Sequence, residues 1–261
     1  MEVTVPECLP ERLETISYAN EFAFLYDDEM EKLDLKQLPS GGRGSVLDTF
    51  GAGSSEHPVD QTVRPEKRLQ AQIFAEMLAI DPPRAKTSIM AWKKFVQLAS
   101  KTRMKPFETV REYIPARVID AGELIWFGTL TFGMGLTIPE NEYHLCMELA
   151  RPGYAALGLT NDLYSWEKER QDAERQGQDY VFNIIWVIMK EQSVGEIEAK
   201  AICAELVRGY IDQYRGIVEE TRKNTSLSKD TRTYIEAVLL SIIGNLVWSV
   251  YCPRYREGSY Q

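Results

Sequence analysis

Apolar side chains recur at three- and four-residue intervals along most of the 261-residue chain, the spacing that lines one face of an α-helix. No run of alternating apolar and polar residues bounded by hairpin turns interrupts the pattern, so strands are not expected. A first helix is expected over residues 11–35. From 38 to 65 the material changes: Pro39, Gly41, Gly42, Gly44, Gly51, Gly53, Pro58 and Pro65 punctuate it and predict a long loop. Helical spacing resumes over 66–80, and Asp81-Pro82-Pro83 forms a start signal for a helix over 84–101. Pro106 opens the next segment and Pro139 closes it. Within that segment, residues 118–136 are nearly all apolar but are interrupted by glycines. An interior glycine costs a helix about 1 kcal/mol relative to alanine, so a broken helix or very close packing is expected there. Further helices are expected over 140–168 (with a kink at Pro152), 180–191, 194–223 and 228–251. About eight helices without a repeat or a low-complexity linker predict a single all-α domain spanning 1–261.

Composition narrows the function classes. The chain carries 39 acidic and 30 basic side chains, a formal net charge of −9, and shows no basic stripe for phosphate backbones, which argues against nucleic-acid binding. An apolar fraction of 44% argues against intrinsic disorder. The two histidines, His57 and His144, cannot build a His-rich zinc site and lack HExxH spacing. Cys8, Cys146, Cys203 and Cys252 form no CxxC pair, so reduced intracellular thiols are the simpler expectation. Residues 1–10 do not read as a signal peptide. The two most apolar stretches, 124–138 and 237–251, fall short of the roughly 20 residues that span a bilayer. A soluble, cytoplasmic protein without stable membrane insertion is expected.

Two acidic helix faces carry the candidate chemistry. In Asp27-Asp28-Glu29-Met30-Glu31, Asp27 and Glu31 stand four residues apart on one face, with Asp28 adjacent. Like charges at that spacing repel, and a hard divalent cation such as Mg²⁺ would offset the repulsion. A solvated acidic helix end reads the same way. The second face holds Asn161, Ser165 and Glu169 at successive four-residue steps, stacked within roughly 80° at 3.6 residues per turn. An amide carbonyl, a hydroxyl and a carboxylate can ligate one Mg²⁺. The apolar residues upstream place Asn161 and Asp162 near a core, where polar groups need partners. The alternative is a polar helix end bonded to neighbouring backbone.

Taken together, the two motifs resemble those of class I terpene synthases: an Asp-rich DDxxE motif (Asp27, Asp28, Glu31) and an Asn-Ser-Glu triad (Asn161, Ser165, Glu169) inside Asn161-Asp162-x-x-Ser165-x-x-Lys168-Glu169. Arg117-Val118-Ile119-Asp120-Ala121 is similar to the family's diphosphate-sensing Arg, linker Asp and effector residue at a helix break. Arg254-Tyr255 resembles its C-terminal Arg-Tyr pair. The wording of residues 24–28, 47–50 and 69–80 is most similar to the cyclase half of fungal chimeric enzymes that join a cyclase to a prenyltransferase and make di- or sesterterpenes. The resemblance covers nearly the whole chain.

The resemblance implies a class I terpenoid synthase helical bundle around a central active-site cavity. It implies ionisation of a linear prenyl diphosphate, geranylgeranyl or geranylfarnesyl diphosphate favoured and farnesyl diphosphate still open, followed by carbocation cyclisation. Three Mg²⁺ ions are expected. Asp27 is the principal ligand of one pair with Asp28 and Glu31 assisting, and Asn161, Ser165 and Glu169 hold the third. Arg117, Lys168, Arg254 and Tyr255 would direct donors at the diphosphate. Phe22, Phe24, Trp126, Phe127, Trp186 and Trp248, with Asp120 and Ala121 at the helix break, are the candidates for the cation pocket, where ring faces stabilise positive charge. Aromatic residues on helices are also ordinary core. The loop over 38–65 and the tail after Tyr251 are candidate lids. The family places helices before its Asp-rich motif, so part of one pocket wall is expected to be missing, rebuilt or supplied by a partner chain, and homodimerisation is open. With no prenyltransferase half, the chain is expected to depend on externally made substrate. Two other readings stay open: a trans-prenyltransferase, whose second motif is normally also Asp-rich, and a non-catalytic or truncated helical homologue.

Overall fold

The structure, a computed structural model, describes residues 1–31, 65–103 and 106–255, with the side chains of 29–31 excepted. The expected loop over 38–65 lies outside the described residues except for Pro65, which begins a helix. All regular structure among the described residues is helical. The elements are α1 (Pro10–Glu31), α2 (Pro65–Ile80), α3 (Pro82–Thr102), α4 (Val110–Asp120), α5 (Glu123–Gly133), α6 (Glu140–Arg175), α7 (Ile184–Gln192), α8 (Glu196–Lys223) and α9 (Lys229–Tyr251), followed by a 3₁₀ turn over Pro253–Tyr255.

The residues form two compact units. The first is drawn from Met1–Glu2, Glu7–Met104 and Gly122–Thr137, the second from Val3–Pro6, Lys105–Ala121 and Ile138–Gln261. The chain leaves the second unit for the first at the break between α4 and α5. There the Ala121 N–H donates to the Arg117 carbonyl and closes α4, and Gly122 adopts a left-handed φ of 89°, a conformation that L side chains resist. The glycine-rich apolar segment is thus both broken and closely packed, because further along α5 an added Cβ at Gly128 would lie 2.6 Å from Ser88 Oγ on α3.

In the first unit α1, α2, α3 and α5 enclose an aromatic cluster in which Phe22 and Tyr26 of α1 meet Trp92 and Phe95 of α3. Asp81 caps α3, accepting from the Arg84 backbone N–H, and also pairs with the Arg12 guanidinium at 2.8 Å. Arg12 in turn donates to the Phe132 carbonyl in the last turn of α5, and Arg84 to the Leu136 carbonyl just beyond it.

In the second unit α6 runs unbroken for 36 residues. It passes through Pro152 as one helix and continues beyond Lys168, where the expected helix ends. Its middle is buried because small residues let neighbours approach: a Cβ at Gly153 would lie 2.8 Å from Val238 on α9 and 3.0 Å from Tyr214 on α8. Leu159 and Trp166 of α6, Tyr113 of α4, and Ile184, Ile185, Val187 and Ile188 of α7 form the buried core with Ala199 and Cys203 of α8. The helix expected over 180–191 begins four residues later, since Asn183 is extended and caps it.

α9 spans 23 residues, longer than the apolar stretch 237–251, and by length and mean hydropathy (1.5) it could cross a membrane. Nearly half of that stretch (44%) is buried inside the protein, the behaviour of a core helix. Its N-cap Ser228 and Thr231 both hydrogen-bond to Glu142 of α6, and Ser241 donates to the Thr4 carbonyl. The amino-terminal segment crosses α9 so closely that a Cβ at Gly244 would overlap the Val3 carbonyl.

Candidate active site

The first unit presents the acidic end of α1. Asp27 is partly exposed and pairs at 3.2 Å with Arg103, which follows the last turn of α3 and is itself mostly buried. Asp28 follows it and is partly buried. The helix reaches Glu31, whose side chain lies outside the described residues. Phe24 sits one turn before Asp27 and is half-buried, whereas Phe22 belongs to the aromatic cluster. Phe22 also borders a cavity of about 30 Å³ between α1, α2, α3 and α5, a space for roughly one water and far too small for a prenyl chain. Phe127 is buried in α5. Trp126 is half-buried, and its ring nitrogen has no hydrogen-bond partner among the described residues.

The second unit gathers the rest around Arg117. This side chain is 7% exposed and uses three nitrogens on three acceptors. Nε donates to Asp162 at 2.7 Å, one Nη to Asp120 at 2.8 Å and the other to the Asn161 amide oxygen at 2.6 Å. Phe182 lies against the guanidinium face, 6.0 Å from its centre. Close approach is possible because Gly158 has no side chain: an added Cβ would stand 3.2 Å from Ala121 Cβ and 3.4 Å from Arg117 Cγ. Asn161 donates to the Tyr255 hydroxyl at 2.5 Å, and the Tyr255 ring meets Trp248 edge-on at 5.5 Å. The tail pair Arg254-Tyr255 is thereby brought to the Asn-Ser-Glu face through Tyr255. Arg254 is partly buried beside it in sequence.

Asp162 is completely buried, and its carboxylate accepts from Arg117 Nε, the Tyr113 hydroxyl at 2.7 Å and the Ile184 N–H at 3.0 Å. Burial pushes the Asp162 carboxyl up from its ordinary value, against the downward pull of Arg117, Tyr113 and the Ile184 amide. Desolvation also weighs on Arg117, but Asp162, Tyr113, Asp120 and Glu169 outweigh it and hold the guanidinium well above its ordinary value. The two groups therefore form an ion pair. Burial, then the Asp162 charge, raises Tyr113 well above the phenol range, so it remains a neutral donor.

Along α6, Asn161, Ser165 and Glu169 share a face as their spacing predicts. Ser165 is 2% exposed, and its Oγ has no hydrogen-bond partner among the described residues. A buried hydroxyl without a partner is costly, and a cation bound by oxygen ligands would satisfy it. The amide oxygen, hydroxyl and carboxylate of this face are the hard donors that suit Mg²⁺. Among the described residues no three or more His, Cys, Asp or Glu side chains cluster as a ready metal site. Glu169 is thus the one carboxylate of its triad, a set that leaves much of the coordination to water and phosphate oxygens.

Lys168 pairs with Asp172 one turn along α6 at 3.1 Å. Trp186 packs against the Tyr180 ring at 4.7 Å and under Lys190, at the margin of the second unit's core. Asn183, Asp162, Tyr113 and Arg103 contribute to these clusters without having been assigned roles from the sequence. Asp162 carried a local signal of burial in the apolar residues upstream, and Asn183 carries one as an Asn preceding an apolar run.

A family described as "Terpene synthase family 2, C-terminal metal binding" matches residues 19–213. Fusicoccadiene synthase of Phomopsis amygdali is 44% identical over 261 residues, which cover 98% of this chain and 36% of that protein. Talaropentaene synthase of Talaromyces verruculosus is 42% identical, over 98% of this chain and 38% of its own length. The chain thus spans about a third of the curated relatives it matches. Among solved structures, aristolochene synthase from Penicillium roqueforti aligns with a TM-score of 0.72 over 95% of this chain and 81% of that one, at 20% identity, a likeness of fold. Wild-type cucumene synthase aligns with a TM-score of 0.68 over 95% and 83% of the two chains, at 17% identity.

Proposed function

This chain belongs to the metal-binding terpene synthase family, and from that premise we propose that it is a Mg²⁺-dependent cyclase that ionises a linear prenyl diphosphate and closes the carbocation into a di- or sesterterpene. The observation that carries the reading is the arrangement in the second unit, where a desolvated Arg117 and Tyr255 are hydrogen-bonded to Asn161 on the helix face that also carries Ser165 and Glu169. The names of the related diterpene and sesterterpene synthases support a C20 or C25 substrate.

Bound Mg²⁺ would act as a Lewis acid, neutralising the charge that builds on departing diphosphate. In the second unit Asn161, Ser165 and Glu169 would hold such an ion; in the first, Asp27 with Asp28 and Glu31 would supply carboxylates for their own. Arg117 is fixed in charge and direction, so it can donate to diphosphate oxygens without reorganising as the bond breaks. The Tyr255 hydroxyl and Arg254 add donors from the tail. Asp120 and Ala121, at the α4–α5 break beside Arg117, stand where a shift of the sensor would first be felt. Half-buried Phe24 in the first unit and half-buried Trp248 in the second are each aromatic rings of the kind that stabilises positive charge. The four free thiols support a reducing, cytoplasmic setting.

The test is diphosphate release from geranylgeranyl and geranylfarnesyl diphosphate. Release by the unaltered chain should vanish with chelator and fall by roughly 10²-fold or more in Asn161→Ala, the scale of losing one transition-state contact. Undiminished release in that variant would overturn the metal assignment.

A further inference from the structure

Asn183 is fully buried and does more than start a helix. Its Oδ1 accepts from the Ile185 N–H at 2.9 Å, which is the capping bond of α7. Capping needs only that acceptor: Thr109 caps α4 and Ser228 caps α9 with hydroxyls. The Asn183 amide nitrogen is committed separately. It donates to the Asp162 carbonyl at 2.9 Å and to Glu169 Oε2 at 2.9 Å. The first bond ties the amide to the α6 backbone one residue from Asn161. The second fixes one oxygen of the triad carboxylate. Asp162, whose backbone Asn183 holds, also grips Arg117 with its side chain and receives the Ile184 N–H. Neither of Asn183's ends can turn without breaking a buried bond.

We propose that Asn183 is a positioning residue for metal binding, which orients the Glu169 carboxylate through its amide. The proposal rests on the cyclase reading above. Partners that orient a ligand carboxylate from outside the coordination sphere set its direction and basicity, and their loss typically weakens metal affinity by about 10–100-fold. A simple cap would weaken α7 and the fold but leave the affinity for metal unchanged.

Asn183→Ser separates the two roles, because serine keeps a capping oxygen and removes the amide donor. Mg²⁺ is titrated calorimetrically into the whole chain with saturating inorganic diphosphate, and thermal midpoints are recorded alongside. Asn183→Ser should weaken Mg²⁺ binding by about 10–100-fold. Glu169→Gln should weaken it as well, and the double variant should be little worse than Glu169→Gln alone, the signature of a coupled pair. Ser228→Ala, which removes a cap on another helix, should lower the midpoint without that loss of affinity. Should Asn183→Ser not fold, Asn183→Thr, another capping residue suited to the extended backbone there, carries the same titration. Unchanged Mg²⁺ affinity in the folded variant, or full additivity with Glu169→Gln, overturns the positioning role while leaving the cyclase reading in place. Failure of the unaltered chain to bind Mg²⁺ and diphosphate together overturns both.

Discussion

Arg117 owes its place to a residue with no side chain. Gly158 lets the end of α4 lie against α6, with Ala121 and the Arg117 stem within contact distance of the missing Cβ. In Gly158→Ala the neighbours must yield by a few tenths of an ångström, and the sensing guanidinium and the residue at the helix break would move first. Misplacing a reacting partner by 1 Å can cost about 10²-fold in rate, so a fall of roughly tenfold in turnover is expected from a smaller shift. Steady-state kinetics beside a thermal melt check this: turnover should drop while the protein stays folded. The same neighbourhood shows what local sequence conveys. Asn161, Ser165 and Glu169 were legible because four-residue spacing alone puts them on one face. Asp162 was legible as buried, but its donors, Tyr113 and Ile184, lie 49 and 22 residues away and no periodicity announces them.

Helix boundaries followed local chemistry where that chemistry was decisive. Asp81 with two prolines started α3, and the glycine-rich segment broke at Gly122. Pro152 did not end α6, which runs as one helix of 36 residues with neighbouring Gly153 close against α8 and α9, a packing that local sequence does not announce. The aromatic residues were ambiguous for a related reason: helical spacing says that Phe22, Trp186 and Trp248 are not in a loop, but not which surface each faces. The cap of α9 is tied to α6 through Glu142, whose carboxylate accepts from Thr231 and from the hydroxyl and N–H of Ser228. These bonds, the Thr231 hydroxyl foremost, hold Glu142 below its ordinary value of 4.5. The unfolded chain therefore binds the proton first as pH falls, and the stabilisation present above pH 4.5 is lost on passing down through the folded pKa. Glu142→Gln should be less stable at neutral pH by about 1 kcal/mol and should show a shallower decline of its melting point between pH 5 and 3, read from thermal melts across that range.

The chain as a whole carries its candidate chemistry in two compact units, an acidic helix end in one and a desolvated cationic cluster beside an oxygen-donor face in the other. The family and the fold agree with the resemblance carried by four short motifs, while the supporting side chains came into view only with the packing. Incubation of the purified chain with Mg²⁺ and, separately, geranyl, farnesyl, geranylgeranyl and geranylfarnesyl diphosphate, followed by extraction and mass spectrometry, decides what this arrangement does. A cyclic hydrocarbon or alcohol from the C20 or C25 substrate, abolished by chelator, is the expected result. Longer linear diphosphates, or no product from any of the four, would contradict it.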